Sequence, residues 1–225
     1  NDRGMELSTL QYWRHGKLYS CDDHTGIIYE ILMEEGIAAR AVPRFILSDG
    51  DGNQPGGVMC EWSAVKGDHL VIGSTGKPWT KLASSEIEHR NQQWVKMINP
   101  AGGVKNINWQ EPYEKIRESL NVAGKGYVMH QCAMWSSARQ LWFFIPRHVS
   151  FTAYTPGDEH KHGSTVIVIT DANFKTVRLV PLAATATTAA DPSPSATPPE
   201  AGVTECKFVP NGHDREIVLL KVLEK

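Results

Sequence analysis

Glu61-Trp62-Ser63-Ala64-Val65-Lys66 sets a polar residue before an apolar strand, and Gly67-Asp68 then turns the chain into His69–Gly73. The same arrangement recurs in weaker form from Ser8 (Ser-Thr-Leu-Gln-Tyr-Trp-Arg-His-Gly-Lys-Leu-Tyr-Ser), from Gln131 (Gln-Cys-Ala-Met-Trp-Ser-Ser-Ala-Arg-Gln-Leu-Trp-Phe-Phe) and from Thr204 (Thr-Glu-Cys-Lys-Phe-Val-Pro-Asn-Gly-His-Asp-Arg-Glu-Ile-Val-Leu-Leu). A hairpin repeated every roughly 50 to 70 residues suits a β-propeller, each copy supplying one blade. The residue opening each innermost strand would face the central channel. Oxygen-bearing side chains there would form a ring suited to a hard cation. An ordinary all-β protein with similar hairpins fits the same pattern, and the repeat alone does not choose between them.

Working outward, most of the chain reads as short strands with turn punctuation. Leu10–Trp13 and Lys17–Cys21 flank His15-Gly16, and Asp22-Asp23-His24-Thr25-Gly26 turns into Ile27–Leu32. Val42–Leu47 stops at Ser48-Asp49-Gly50-Asp51-Gly52. Tyr127–Gln131 leads into the third hairpin, whose second strand, Leu141–Ile145, is expected to end at Pro146, where a ladder donor is lost. Thr165–Thr170 and Thr176–Leu182 form a further pair, and Glu216–Val222 is the last strand. Pro112–Leu120 reads as one short helix, with Pro near its start and Ile116 and Leu120 at helical spacing. It sits in a polar inter-strand excursion, Lys77–Gly126, that carries Trp79, Trp94 and Trp109. Apart from Asp191 and Glu200, Ala183–Ala201 holds only Ala, Thr, Pro and Ser, and is read as a disordered loop insertion.

The chain's 225 residues suffice for one good-sized domain or two small ones, and its 41% apolar content for a real core. Its 23 basic and 25 acidic residues give a net charge of −2, so no electrostatic footprint for nucleic acid or an anionic membrane is expected. No apolar run reaches the length of a transmembrane helix. The opening, Asn1-Asp2-Arg3-Gly4, reads as cut from something longer. Cys21, Cys60, Cys132 and Cys206 form no CxxC pair, which argues against a zinc or thioredoxin-type site. Their even number permits disulfides, but the apolar neighbours of Cys132 and Cys206 favour buried free thiols.

A family resemblance rests on a series of motifs in order. They are Met5-Glu6-Leu7-Ser8, Gly16-Lys17-Leu18-Tyr19-Ser20, Asp22-Asp23, Thr25-Gly26 and Leu47-Ser48-Asp49-Gly50-Asp51-Gly52. Glu61-Trp62 with Ala64-Val65-Lys66, Gln93-Trp94-Val95-Lys96, Gly126-Tyr127, Trp135-Ser136, Trp142-Phe143-Phe144 with Pro146-Arg147, and Lys207-Phe208 with Pro210-Asn211 continue it. Across nearly its whole length the chain resembles the soluble calcium-activated nucleotidases, the apyrases of blood-feeding arthropods and of the vertebrate secretory pathway. The resemblance implies an all-β, five-bladed propeller, here a single domain over 1–225 that is incomplete at both ends. It implies one Ca2+ in the central tunnel and hydrolysis of nucleoside di- and triphosphates, with UDP, GDP and UTP preferred. It also implies the secretory pathway or secretion.

Residue by residue, the resemblance makes Ser8, Glu61, Gln131 and Thr204 the metal ligands. Glu61 is the carboxylate, which would be costly in a narrow channel without a cation. Gln131 stands where the family pattern has Glu, in His130-Gln131-Cys132, and keeps a carbonyl oxygen but loses a charge. Thr204 stands for a Ser, and Thr9 for an Asp. Arg147 is implied on the substrate's phosphates, which its planar fork suits, with His148 in place of a second Arg. Asp49 and Asp51 are implied catalytic residues that orient water or a cation-bound phosphate; a plain turn fits them equally. Their loop is not an EF-hand, since Gln54 and Cys60 replace the required Gly and Glu. Asp22, Lys77 and Trp79 are implied substrate contacts, with Asp22 and Asp23 otherwise a turn. His160, Lys161 and His162 read as a solvated loop. The competing reading is a non-catalytic propeller that binds nucleotide or protein. A propeller lacking its outer strands leaves open sheet edges, which a second copy, as a homodimer, can close.

Overall fold

The computed structural model describes residues 4–33, 39–82, 84–157, 161–182 and 201–222. His160 and the low-complexity stretch, apart from Ala201, lie outside the described residues. Among the described residues the protein is all-β with one α-helix. Strands β1 (Leu7–Trp13), β2 (Lys17–Asp22), β3 (Ile27–Leu32) and β4 (Arg40–Ile46) form the first sheet in that order. In the second, β5 (Trp62–Lys66) and β6 (His69–Gly73) are followed after a long connection by β9 (Trp94–Ile98) and β10 (Val104–Asn108), in the order β10-β9-β6-β5. The connection carries the small pair β7 (Trp79–Thr80) and β8 (Ile87–His89). After α1 (Gln110–Ser119), a third sheet runs β11 (Tyr127–Ser136), β12 (Leu141–Ser150), β13 (Val166–Asp171) and β14 (Val177–Pro181). A two-stranded sheet, β15 (Gly202–Phe208) and β16 (Ile217–Val222), completes the described residues.

The first strand of each main sheet lies at its edge, and these edges gather: β1 packs against β5, β5 against β11, and β11 against β15. Apolar layers between consecutive sheets hold them so. Trp13, Ile28, Leu47, Leu70, Ile72 and Ile98 fill the space between the first and second. Trp62, Trp109, Trp135, Trp142 and Phe144 fill that between the second and third, with Tyr113 and Ile116 of α1. Met134, Phe143, Ile145 and Val203 fill the last. Trp62 is fully buried and its indole N–H donates to the Ser74 carbonyl at 3.0 Å, so its one polar atom is satisfied. Its cross-strand partner is Gly73, where a Cβ would come within 2.1 Å of the indole ring. The glycine is there to admit the tryptophan.

Three expectations are corrected. The excursion Lys77–Gly126 is not one long loop; it contains β9 and β10, which complete the second sheet. Lys96 interrupts the apolar run of β9, yet it is buried, its ammonium donating to the Gly50 carbonyl at 2.5 Å and to Asn106 Oδ1 at 2.9 Å. A polar residue that finds partners inside does not break a strand. Second, β12 runs through Pro146 to Ser150. Pro146 pairs with His130 beside a register shift, and such an irregularity tolerates a missing donor. Third, Cys132 and Cys206 are not free thiols: disulfides join Cys21 to Cys60 and Cys132 to Cys206, with Cα separations of 6.2 and 5.4 Å. An apolar sequence neighbourhood is common to buried thiols and buried disulfides, so it could not separate them. The helix starts two residues before the expected Pro112, which falls in its first turn, where no intrahelical donor is needed.

His130 is buried between the rings of Tyr113 and Phe144, at centroid distances of 5.2 and 5.4 Å. Burial pushes its pKa down to about 3. The unfolded chain, near 6.5, then binds a proton that the native state refuses, so stability falls as pH drops from 6.5 towards 3. Between pH 6.5 and pH 4.5 the native state is expected to lose about 2 to 3 kcal/mol through this group. Urea unfolding at the two pH values checks it: His130→Phe should lose less than the wild type, and equal losses would assign the acid sensitivity elsewhere.

Candidate metal and phosphate site

Where the four sheets meet lies a cavity of about 490 Å³, and its lining includes Ser8, Glu61, Gln131, Thr204 and Arg147. The ladder explains how these residues come to face it. The β1–β2 register shifts between Leu7 and Thr9, leaving Ser8 as the extra residue. The β11–β12 register shifts between His130 and Ala133, across Gln131. The β15–β16 register shifts between Val203 and Glu205, leaving Thr204 extra. A bulge inserts a residue without a partner and re-aims its side chain. The same local device thus serves three neighbouring edge strands. Glu61 needs none, because it precedes β5, with its backbone N–H donating to the Gly73 carbonyl at 2.9 Å.

A hydrogen-bonded relay crosses the cavity. Arg147 Nη1 donates to Gln131 Oε1 at 2.8 Å, and Gln131 Nε2 donates to Glu61 Oε2 at 2.6 Å. Burial, reinforced by the negative charge of Asp23, raises the Glu61 carboxyl to about 7, although the Gln131 amide and the Arg147 charge pull the other way. A carboxylate short of positive charge beside neutral oxygen donors is a chemical match for a hard divalent cation. Glu61, Ser8 Oγ, Gln131 Oε1 and Thr204 Oγ1 supply oxygens only, and the carboxylates of Asp23 and Glu205 line the same cavity. Of these, Glu205 is engaged by Lys207 at 2.8 Å and by the Leu10 backbone N–H at 3.4 Å. Ligand atoms of Glu6, Asp23 and His24 lie within 4.8 Å of one another at its side. For Gln131 to serve a cation, its oxygen must turn towards Glu61, away from Arg147. The donor set fits calcium in kind, with less charge than a second carboxylate at position 131 would give.

Other sequence candidates lie elsewhere. Asp22 is buried and holds the turn, accepting from the backbone N–H groups of His24 at 2.9 Å, Thr25 at 3.0 Å and Glu6 at 3.3 Å. Its neighbour Asp23 is the one that lines the cavity. Asp49 accepts from Asn91 Nδ2 at 2.9 Å, and Asp51 from the Asn53 backbone N–H at 3.0 Å. Those bonds hold the Asp51 carboxyl below its usual range. Neither lines the cavity, and their loop rests on Lys96. Lys77 lines a second cavity, of about 290 Å³, with Arg90, Arg117, Lys125 and Tyr127. The two cavities share β11 as a wall: Val128 and His130 face one, Met129 and Gln131 the other. Trp79 is 46% exposed and stacks on His89 with ring centroids 6.0 Å apart. Glu205 is the cavity carboxylate that sequence reasoning missed; its signal is the paired polar residues Thr204-Glu205 inside an apolar strand.

Without a cation, the raised Glu61 pKa has a definite sign. The folded state holds this proton more tightly than the unfolded chain, whose value is near 4.5. Stability is therefore fullest below pH 4.5 and is lost as pH rises through 7. The loss amounts to at most about 3 kcal/mol. In chelator at pH 8, Glu61→Gln is expected to melt several degrees above the wild type, with the gap closing at pH 5. A gap of equal size at both pH values would show that the carboxylate is not strained.

The apyrase family model matches residues 1–225. Soluble calcium-activated nucleotidase 1 of Rattus norvegicus is 38% identical over 219 residues, covering 97% of this chain and 50% of the relative. The apyrase of Cimex lectularius is 38% identical over 222 residues, covering 99% and 56%. Apyrase apy-1 of Caenorhabditis elegans is 33% identical over 223 residues, covering 99% and 58%. The chain spans about half the length of these relatives. With this similarity running through every sheet that frames the cavity, the chain belongs to the apyrase family.

Proposed function

We propose that this chain carries the hydrolytic site of a calcium-dependent nucleotidase that acts on nucleoside di- and triphosphates of the UDP, GDP and UTP type. The observation that carries the reading is the relay Arg147–Gln131–Glu61 inside the cavity, which sets a guanidinium fork and a charge-deficient carboxylate side by side. Family membership supports the same reaction class. Water adds across the terminal phosphoanhydride, releasing inorganic phosphate and a nucleotide shorter by one phosphate. Calcium, when bound, supplies Lewis-acid polarisation of phosphate oxygens.

The chain's own residues supply the rest. Glu61, Gln131, Ser8 and Thr204 hold the cation. The Arg147 fork binds phosphate oxygens and offsets the charge that grows on them in the transition state. Once a phosphate takes the guanidinium, the Gln131 oxygen is free to turn inward, so substrate and cation favour the same amide orientation. Lys77, across β11, adds positive charge to the approach. The four sheets, gathered at their first strands, suit blades of a five-bladed propeller. Two buried disulfides support an extracellular or secretory setting. A second reading, a binding module without turnover, draws on the amide nitrogen that Gln131 presents to Glu61.

Phosphate release from UDP and GDP, with millimolar calcium and then with chelator, tests the reading on this chain and on one extended to the relatives' length. Calcium-dependent release is expected. Gln131→Glu should lower the calcium concentration needed, and Arg147→Lys should cut kcat/KM at least tenfold, an effect of about 1.4 kcal/mol or more on the transition state. No release from either chain, with Gln131→Glu also silent, would leave the binding module.

A further inference from the structure

We propose that the disulfide Cys132–Cys206 positions the cation site, setting the distance between the walls that carry Gln131 and Thr204; this rests on the calcium reading above. The four residues of the candidate ligand set come from four different sheets. No strand ladder joins those sheets, so packing and side-chain bonds fix the separations between the residues. Both disulfides run between sheets. Cys132 of β11 meets Cys206 of β15, and Cys21 of β2 meets Cys60, just ahead of β5.

Each crosslink ends beside the cavity. Cys132 follows Gln131 within the same bulge, and Cys206 lies two residues after the bulged Thr204. Cys60 precedes Glu61, and Cys21 stands two residues before Asp23. All four sulfurs belong to residues at most 1% exposed. Covalent bonds thus tie the first sheet to the second and the third to the fourth. The other junctions rest on packing and on hydrogen bonds, among them Gln131 to Glu61, the His130 N–H to the Thr75 carbonyl, and the Leu10 N–H to Glu205. A bulge is the least constrained part of a strand, because its extra residue has no ladder partner. A disulfide anchored in one bulge and close to another supplies the constraint the ladder lacks. Where a neutral amide stands in place of a carboxylate, fixed spacing matters more, since less charge is present to draw displaced ligands in.

The test compares the intact chain with Cys132→Ser/Cys206→Ser and with the space-filling Cys132→Val/Cys206→Ala, each well below its own melting temperature. Hydrogen exchange reads the walls directly, and calorimetric titration with calcium alone reads the site without turnover. Expected are faster amide exchange confined to residues 130–133 and 203–206, and a calcium Kd raised about tenfold or more, the scale set by loss of outer-shell support. Unchanged exchange in those segments and an unchanged Kd, with only a lower melting temperature, would overturn the proposal and leave a purely stabilising crosslink. If the intact chain does not bind calcium, the metal reading of the site falls, and the exchange comparison alone decides whether the crosslink sets the walls.

Discussion

The sheets of this protein meet through side chains and not through backbone ladders, and everything else follows from that. Within a sheet, hydrogen bonds fix spacing to a fraction of an ångström. Between sheets, apolar layers such as Trp62 against Trp109, Trp142 and Phe144 hold the distance, with two disulfides across them. Aromatic rings suit the task because they are large, stiff and tightly packed. Polar contacts between sheets are few and specific. Thr9 and Ser63, both buried, join the first two sheets through a hydroxyl pair at 2.5 Å. The edge strands that these contacts hold together are the ones that present the cavity.

The cavity shows how a β-structure aims polar side chains inward without giving up its core. An unbroken strand alternates its faces, so a side chain turned towards the junction would take an apolar neighbour out of the layer between sheets. An extra residue at a bulge leaves the flanking alternation intact. Cys132 and Val203 stay in the core while Gln131 and Thr204 face the cavity. The cost is an electrostatic strain concentrated on Glu61, which burial and Asp23 create and Arg147 only partly relieves.

Much of this was legible in the sequence. The four recurring hairpins were visible as polar residues ahead of apolar runs, and the structure brings the four opening residues, with Arg147, to one place. What was hidden depended on tertiary partners. Lys96 reads as a surface residue until Gly50 and Asn106 arrive to satisfy it. Cys132 and Cys206 read as thiols until their sheets are stacked. Asp22 and Asp23 are indistinguishable on paper, and only the turn decides that one holds backbone and the other meets the cavity. Glu205 carries one local sign, a polar residue directly after Thr204, but that alone does not tell a cavity carboxylate from a solvent-facing one.

Gln131 gives the cavity a property that a carboxylate there would deny it. An amide has a donor end as well as an acceptor end, so it can bond to Glu61 when nothing lies between them. Two carboxylates so placed would repel, or share a proton. Here Arg147, Gln131 and Glu61 are linked across the cavity, one bond after another. The amide thus gives the wall between the second and third sheets a cohesion that comes from the chain alone, setting a neutral donor against a carboxylate that burial already strains.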